Sequence, residues 1–132
     1  MADTASPDRF TGGCLCGRIR FQVAGTPLRV GVCHCMDCRK HHGAVFHASA
    51  IFPASALDVE GPTASYAGRS FCPTCGSPVV SELAKTAGVI AVKAGTLDDR
   101  SDVQPTVEVW CVDRQPWVSL PGMAVSLERE SA

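Results

Sequence analysis

The chain has 132 residues, 45% hydrophobic and 19% charged, with a formal charge of −1, the makeup of one globular domain with a single modest core. No block of like charges offers a nucleic-acid footprint, and no apolar run approaches the roughly 18 residues that cross a bilayer. Nucleic acid and membrane are therefore not expected as partners.

The opening MADTASPDRF lacks the basic and apolar segments of a secretory signal and the arginines of a transit peptide, so the chain is read as cytoplasmic. In a reducing compartment its eight cysteines read as metal ligands or catalytic groups rather than as disulfides. Residues 1–9 and 126–132 are mostly small and polar and are expected to be flexible tails around one domain, 10–125.

Twelve glycines and nine prolines cut the chain into short segments, the punctuation of a mainly β protein with little helix. In chain order, RIRFQV (18–23) alternates Ile19, Phe21 and Val23 against Arg18, Arg20 and Gln22, as a half-buried strand requires. A short helical turn is expected at MDCRKHH (36–42). Further strands are expected within AVFHASAIF (44–52), ASYAG (64–68), PVVSE (78–82), GVIAVKAG (88–95) and TVEVWCV (106–112), rich in β-branched and aromatic residues. Asp98 and Asp99 of GTLDD read as a turn whose carboxylates bond nearby amides, and Trp110 and Trp117 read as core.

The cysteines form four groups: Cys14 and Cys16 in GGCLCG, Cys33, Cys35 and Cys38 in CHCMDC, Cys72 and Cys75 in FCPTCGS, and Cys111 alone. In FCPTCGS, Pro73 fixes one φ and Gly76 allows a turn after the second thiol, as in a zinc knuckle. Pairing it with Cys14 and Cys16 completes a closed four-thiolate structural site. Cys111, in the apolar VEVWCV, reads as a buried thiol of a strand.

That partition leaves Cys33, Cys35 and Cys38 as a three-thiolate cluster. Either His34, His41, His42 or His47 closes it as a structural site, or the fourth position is open, the pattern of a catalytic zinc. An open site with three thiolates is a poor activator of water but suits a soft added thiol, which it would hold as a nucleophilic thiolate. The expected cofactor is therefore zinc, two ions per chain.

The motifs GGCLCGRIRF, CHCMDCRKHHG, FCPTCGSPV, GTLDD and QPWV, in this order across roughly residues 12–120, resemble the glutathione-dependent formaldehyde-activating enzyme family, which includes centromere protein V. The resemblance implies a β-tent of several small coiled antiparallel sheets stapled by zinc. It implies a structural zinc on Cys14, Cys16, Cys72 and Cys75 and a catalytic zinc on Cys33, Cys35 and Cys38. The implied activity is that of a carbon–sulfur lyase, forming or breaking S-hydroxymethylglutathione or a related adduct of a small thiol and a small aldehyde. Arg39 and Lys40, directly after the third cysteine, are candidates to pair with the carboxylates of glutathione.

The alternative is a non-catalytic zinc module that carries glutathione or binds a protein partner, and a homo-oligomer is compatible with either. One departure is visible. Where the family often carries the histidine of a Pro-x-x-His-Ile-Trp stretch, this chain has Glu108 between Pro105 and Trp110.

Overall fold

The computed structural model describes residues 9–83, 86–99 and 103–130. The chain is mainly β. Its strands are β1 (Arg9–Gly13), β2 (Arg20–Ala24), β3 (Arg29–Cys33), β4 (His47–Pro53), β5 (Leu57–Glu60), β6 (Ala64–Tyr66), β7 (Arg69–Phe71), β8 (Pro78–Glu82), β9 (Val89–Lys93), β10 (Val107–Val109) and β11 (Val125–Ser126). The one α-helix among the described residues, α1 (Met36–His42), follows β3, and no described helix is long and apolar enough to cross a membrane.

Two sheets form. The larger has the order β11-β10-β3-β4-β9-β8-β7-β6, and the smaller is β1-β2-β5. Most ladders are antiparallel, as hairpin-linked short strands dictate, but β10 runs parallel to both β3 and β11. It reaches that place at the end of a long connection rather than by a hairpin.

Alternation decides which side chains meet. Phe21 and Val23 are buried from the smaller sheet, with Ile19 just ahead of β2, and Ala50, Phe52, Ile90 and Val92 are buried from β4 and β9; together with Phe10, Val79 and Val80 they form the core between the sheets. Phe10 and Phe52 meet edge to face across it, ring centres 5.9 Å apart. Gly12 is required where β1 is closest to its neighbours, because a Cβ there would lie 2.4 Å from the carbonyl oxygen of Thr96 and 2.5 Å from the Phe21 ring.

Several expectations are corrected. Residues 126–130 do not hang free: the backbone N–H of Leu127 donates to the Glu108 carbonyl (2.9 Å) and Glu130 pairs with Arg29 (2.8 Å). The strand expected through residue 112 stops at Trp110, whose φ of 57° turns the chain into a 3-10 turn at Cys111–Asp113. Cys111 is accordingly half-buried in that turn rather than in a strand core. Trp110 is half-buried and Trp117 is 72% exposed, so the second tryptophan is not core.

Asp98 bonds across the fold rather than locally. It accepts from the Thr11 hydroxyl (2.7 Å) and from the Arg20 guanidinium, and its own N–H donates to the Thr11 carbonyl (2.9 Å). The hydrogen bonds from Arg20 and Thr11 hold its carboxyl below the usual range.

Candidate functional site

Cys14 and Cys16 lie between β1 and β2, and Cys72 and Cys75 lie between β7 and β8. Their four sulfurs gather within 4.8 Å of one another, with 3.7 Å from Cys14 to Cys16 and from Cys16 to Cys72. A tetrahedron with Zn–S bonds of about 2.3 Å has edges of about 3.8 Å, so these donors fit a zinc ion. Backbone N–H groups point at the sulfurs, Ile19 to Cys14 (3.2 Å) and Thr74 to Cys72 (3.4 Å), which favours thiolates. Gly17 and Gly76 take positive φ (84° and 80°) just after each pair, the turn the knuckles need. The Ser77 hydroxyl, 3.3 Å from Cys75, pulls that thiol down to about 5.

The second cluster is built at a strand–helix junction. Cys33 ends β3, Cys35 caps α1 and accepts from the Cys38 N–H (3.4 Å), and Cys38 sits in the first turn. Gly43, at φ 62°, ends the helix, and Arg39, Lys40, His41 and His42 crowd its last turn, where cations suit the helix dipole. The three sulfurs lie within 4.8 Å of one another, and no other ligand atom among the described residues joins them. Hydrogen bonding with Cys38 draws the Cys33 thiol down to about 6, while the same interaction raises Cys38.

None of the four histidines closes the group. His34 is 0% exposed and its Nε2 meets Glu108 Oε1 at 2.9 Å. Glu108 also accepts from Ser126 (2.7 Å) and Arg114 (3.3 Å), so burial, which raises its carboxyl, is outweighed and the group is held below the usual range. His42 bonds the Cys38 carbonyl through Nδ1 (2.8 Å) and stacks on His47, ring centres 4.3 Å apart. His47 bonds the Ser49 hydroxyl through Nε2 (2.7 Å). Burial keeps both neutral, with His42 drawn to about 4 and His47 to about 3.

Beside Cys33 and Cys38 opens a cleft of about 280 Å³. Period-two alternation builds its floor from one face of the larger sheet. Val109, Cys33 and His47 form one row across β10, β3 and β4; Gly31, Ser49 and Lys93 form the next; Arg29, Ile51, Ala91, Ser81 and Arg69 form the third. Lys93 is only 7% exposed, and burial draws its ammonium down to about 8. Arg39 and Lys40 do not line the cleft, so its cations are Arg29, Arg69 and Lys93. The alternation of GVIAVKAG could have flagged Lys93, a charge in register with Val89 and Ala91.

A model of the glutathione-dependent formaldehyde-activating enzyme family matches residues 9–113. The chain belongs to that family. The crystal structure of a Rhodobacter sphaeroides protein superposes with a TM-score of 0.53 at 22% identity, covering 67% of this chain and 87% of that one, a likeness of fold. No curated protein sequence matches. Within this member of the glutathione-dependent formaldehyde-activating enzyme family, the Glu108 carboxylate forms the buried pair with His34.

Proposed function

We propose that the chain is a zinc-dependent carbon–sulfur lyase that makes or breaks the adduct of a small thiol with a small aldehyde, with S-hydroxymethylglutathione as its first candidate. The observation that carries this reading is the three-sulfur group, with no fourth protein ligand among the described residues, beside a cleft of substrate size. The family match supports glutathione and formaldehyde as the reacting pair.

Cys33, Cys35 and Cys38 would hold the ion, and Cys14, Cys16, Cys72 and Cys75 a second, structural one. When bound at the three-sulfur group, zinc would supply a soft Lewis acid that keeps an added thiol ionised at neutral pH. The chain's own residues do the rest. The N–H of Cys38 fixes Cys35 in place, and the bond from His42 to the Cys38 carbonyl ties the helix to the histidine stack. Ile51, Ala91 and Val109 give the cleft apolar walls that limit water around the reacting atoms.

In the forward direction the thiol gives up its proton, its sulfur bonds to the aldehyde carbon, the carbonyl π pair moves to oxygen, and the oxygen takes up one proton in place of the one the thiol released, so thiol and aldehyde supply every atom of the adduct. The reverse returns thiol and aldehyde. Exchange NMR at equilibrium tests this: zinc-loaded protein should accelerate interconversion of glutathione, formaldehyde and adduct above the spontaneous rate, and Cys35→Ser should remove the acceleration. Binding of glutathione without acceleration would instead leave a non-catalytic carrier.

A further inference from the structure

The charges of the cleft are unevenly compensated. Arg29 is paired with Glu130 at 2.8 Å, and elsewhere Arg20 is paired with Asp98 and Arg114 with Glu108. Lys93 and Arg69 have no carboxylate within 4.0 Å among the described residues. Lys93 is nonetheless 7% exposed, a burial that an ammonium tolerates poorly alone. Between these two cations lies Ser81, in register with Arg69 on one side and with Ala91, two residues from Lys93, on the other. It is also 7% exposed, and its hydroxyl has no hydrogen-bond partner. Glu82, the other acidic residue lining the cleft, is exposed.

Among the described residues, a buried hydroxyl without a partner beside two cations that lack a carboxylate partner is the complement of a carboxylate. Arg can grip both oxygens, Lys adds a point charge and Ser a neutral donor. Cys33 and Cys38 line the same cleft as Lys93, Arg69 and Ser81, so the seat adjoins the sulfur cluster. Strand spacing of about 4.8 Å and a rise of about 3.4 Å per residue put the Lys93 backbone roughly 10 Å across the sheet and 7 Å along it from Cys33.

We propose that Lys93, Arg69 and Ser81 form an anion subsite that seats a carboxylate of the thiol substrate, so that the protein selects thiols carrying a carboxylate several bonds from sulfur. This rests on the reading of Cys33, Cys35 and Cys38 as the thiol site, but its test does not require catalysis. S-methylglutathione, whose sulfur is blocked, and its diethyl ester are titrated calorimetrically into zinc-loaded protein.

The acid should bind at least about tenfold tighter than the ester, the span expected for a desolvated charge-assisted pair. Lys93→Met and Arg69→Gln should each abolish that preference, with zinc content unchanged, and Lys93→Arg should restore much of it. Equal binding of acid and ester by the wild-type protein overturns the subsite. So does a Lys93→Met protein that loses one zinc ion yet keeps the preference, since the lysine would then serve the metal. Should Lys93→Met fail to fold, Arg69→Gln carries the test. A preference for the acid without adduct turnover would leave the subsite standing and the lyase reading refuted; turnover equal for glutathione and its diethyl ester would do the opposite.

Discussion

The two cysteine clusters use the same ligand chemistry and differ in what surrounds it. The four-sulfur cluster joins two hairpin turns separated by more than fifty residues, and Cys14 and Cys72 are buried in the core cluster itself. The three-sulfur cluster lies within six residues at a strand–helix junction, has no buried cysteine, and opens on a cleft. On the proposed reading, the first arrangement would close a loop and clamp a core, and the second would leave a coordination position facing the cleft. The proposal therefore ties the structural role to thiols far apart in sequence and the reactive role to thiols clustered locally.

The sharpest way to break the comparison is to remove one sulfur from each. Cys72→Ser should cost most of the folded state, because a structural zinc carries folding free energy of order 10 kcal/mol; loss of β circular dichroism and of a cooperative thermal transition would show it. Cys35→Ser should leave fold and one zinc ion in place while exchange catalysis falls by more than about 100-fold, beyond the 10–100-fold typical of residues outside the ligand set. If the two variants behave alike, the division of labour is wrong.

Glu108→Ala sharpens the link between the three-sulfur cluster and the core. It strands His34, which is fully buried between two of the cysteines, and should cost about 3–5 kcal/mol in denaturant unfolding, the usual loss when one partner of a buried pair is removed. Asp98→Asn should cost least, at most about 1 kcal/mol, because the Arg20–Asp98 pair is half exposed. Its pH dependence has a definite sign. Asp98 titrates lower in the folded chain than unfolded, so its contribution is present above about pH 4 and lost as pH falls through the folded value. Wild type and Asp98→Asn should converge in stability in acid; a difference that grows on acidification would contradict the assignment.

The sequence made parts of this legible for physical reasons. Alternation in RIRFQV and the β-branched runs of PVVSE and GVIAVKAG survive as β2, β8 and β9, since burial on one face imposes period two. The strands at Arg29–Cys33, Leu57–Glu60 and Arg69–Phe71 carry no such signal: RVGVC is broken by glycine, LDVE is charged, and RSF is too short to show a period. C-x-C and C-x-x-C spacing located the sulfurs because adjacent ligands need tight turns.

The surroundings of the site were not legible in the same way. Arg39 and Lys40 are near the cysteines in sequence but do not line the cleft. Lys93, Ser81 and Arg69 arrive from three strands whose pairing only the fold sets.

On the proposed reading one cluster is coordinatively closed and the other is open to an incoming thiol. The most direct measurement is cadmium-113 NMR of protein loaded with two cadmium ions, titrated with glutathione. Two resonances should be resolved, and glutathione should move only one of them, toward the position of the four-sulfur site. A three-sulfur resonance that does not respond to glutathione, or two resonances that shift together, would contradict it.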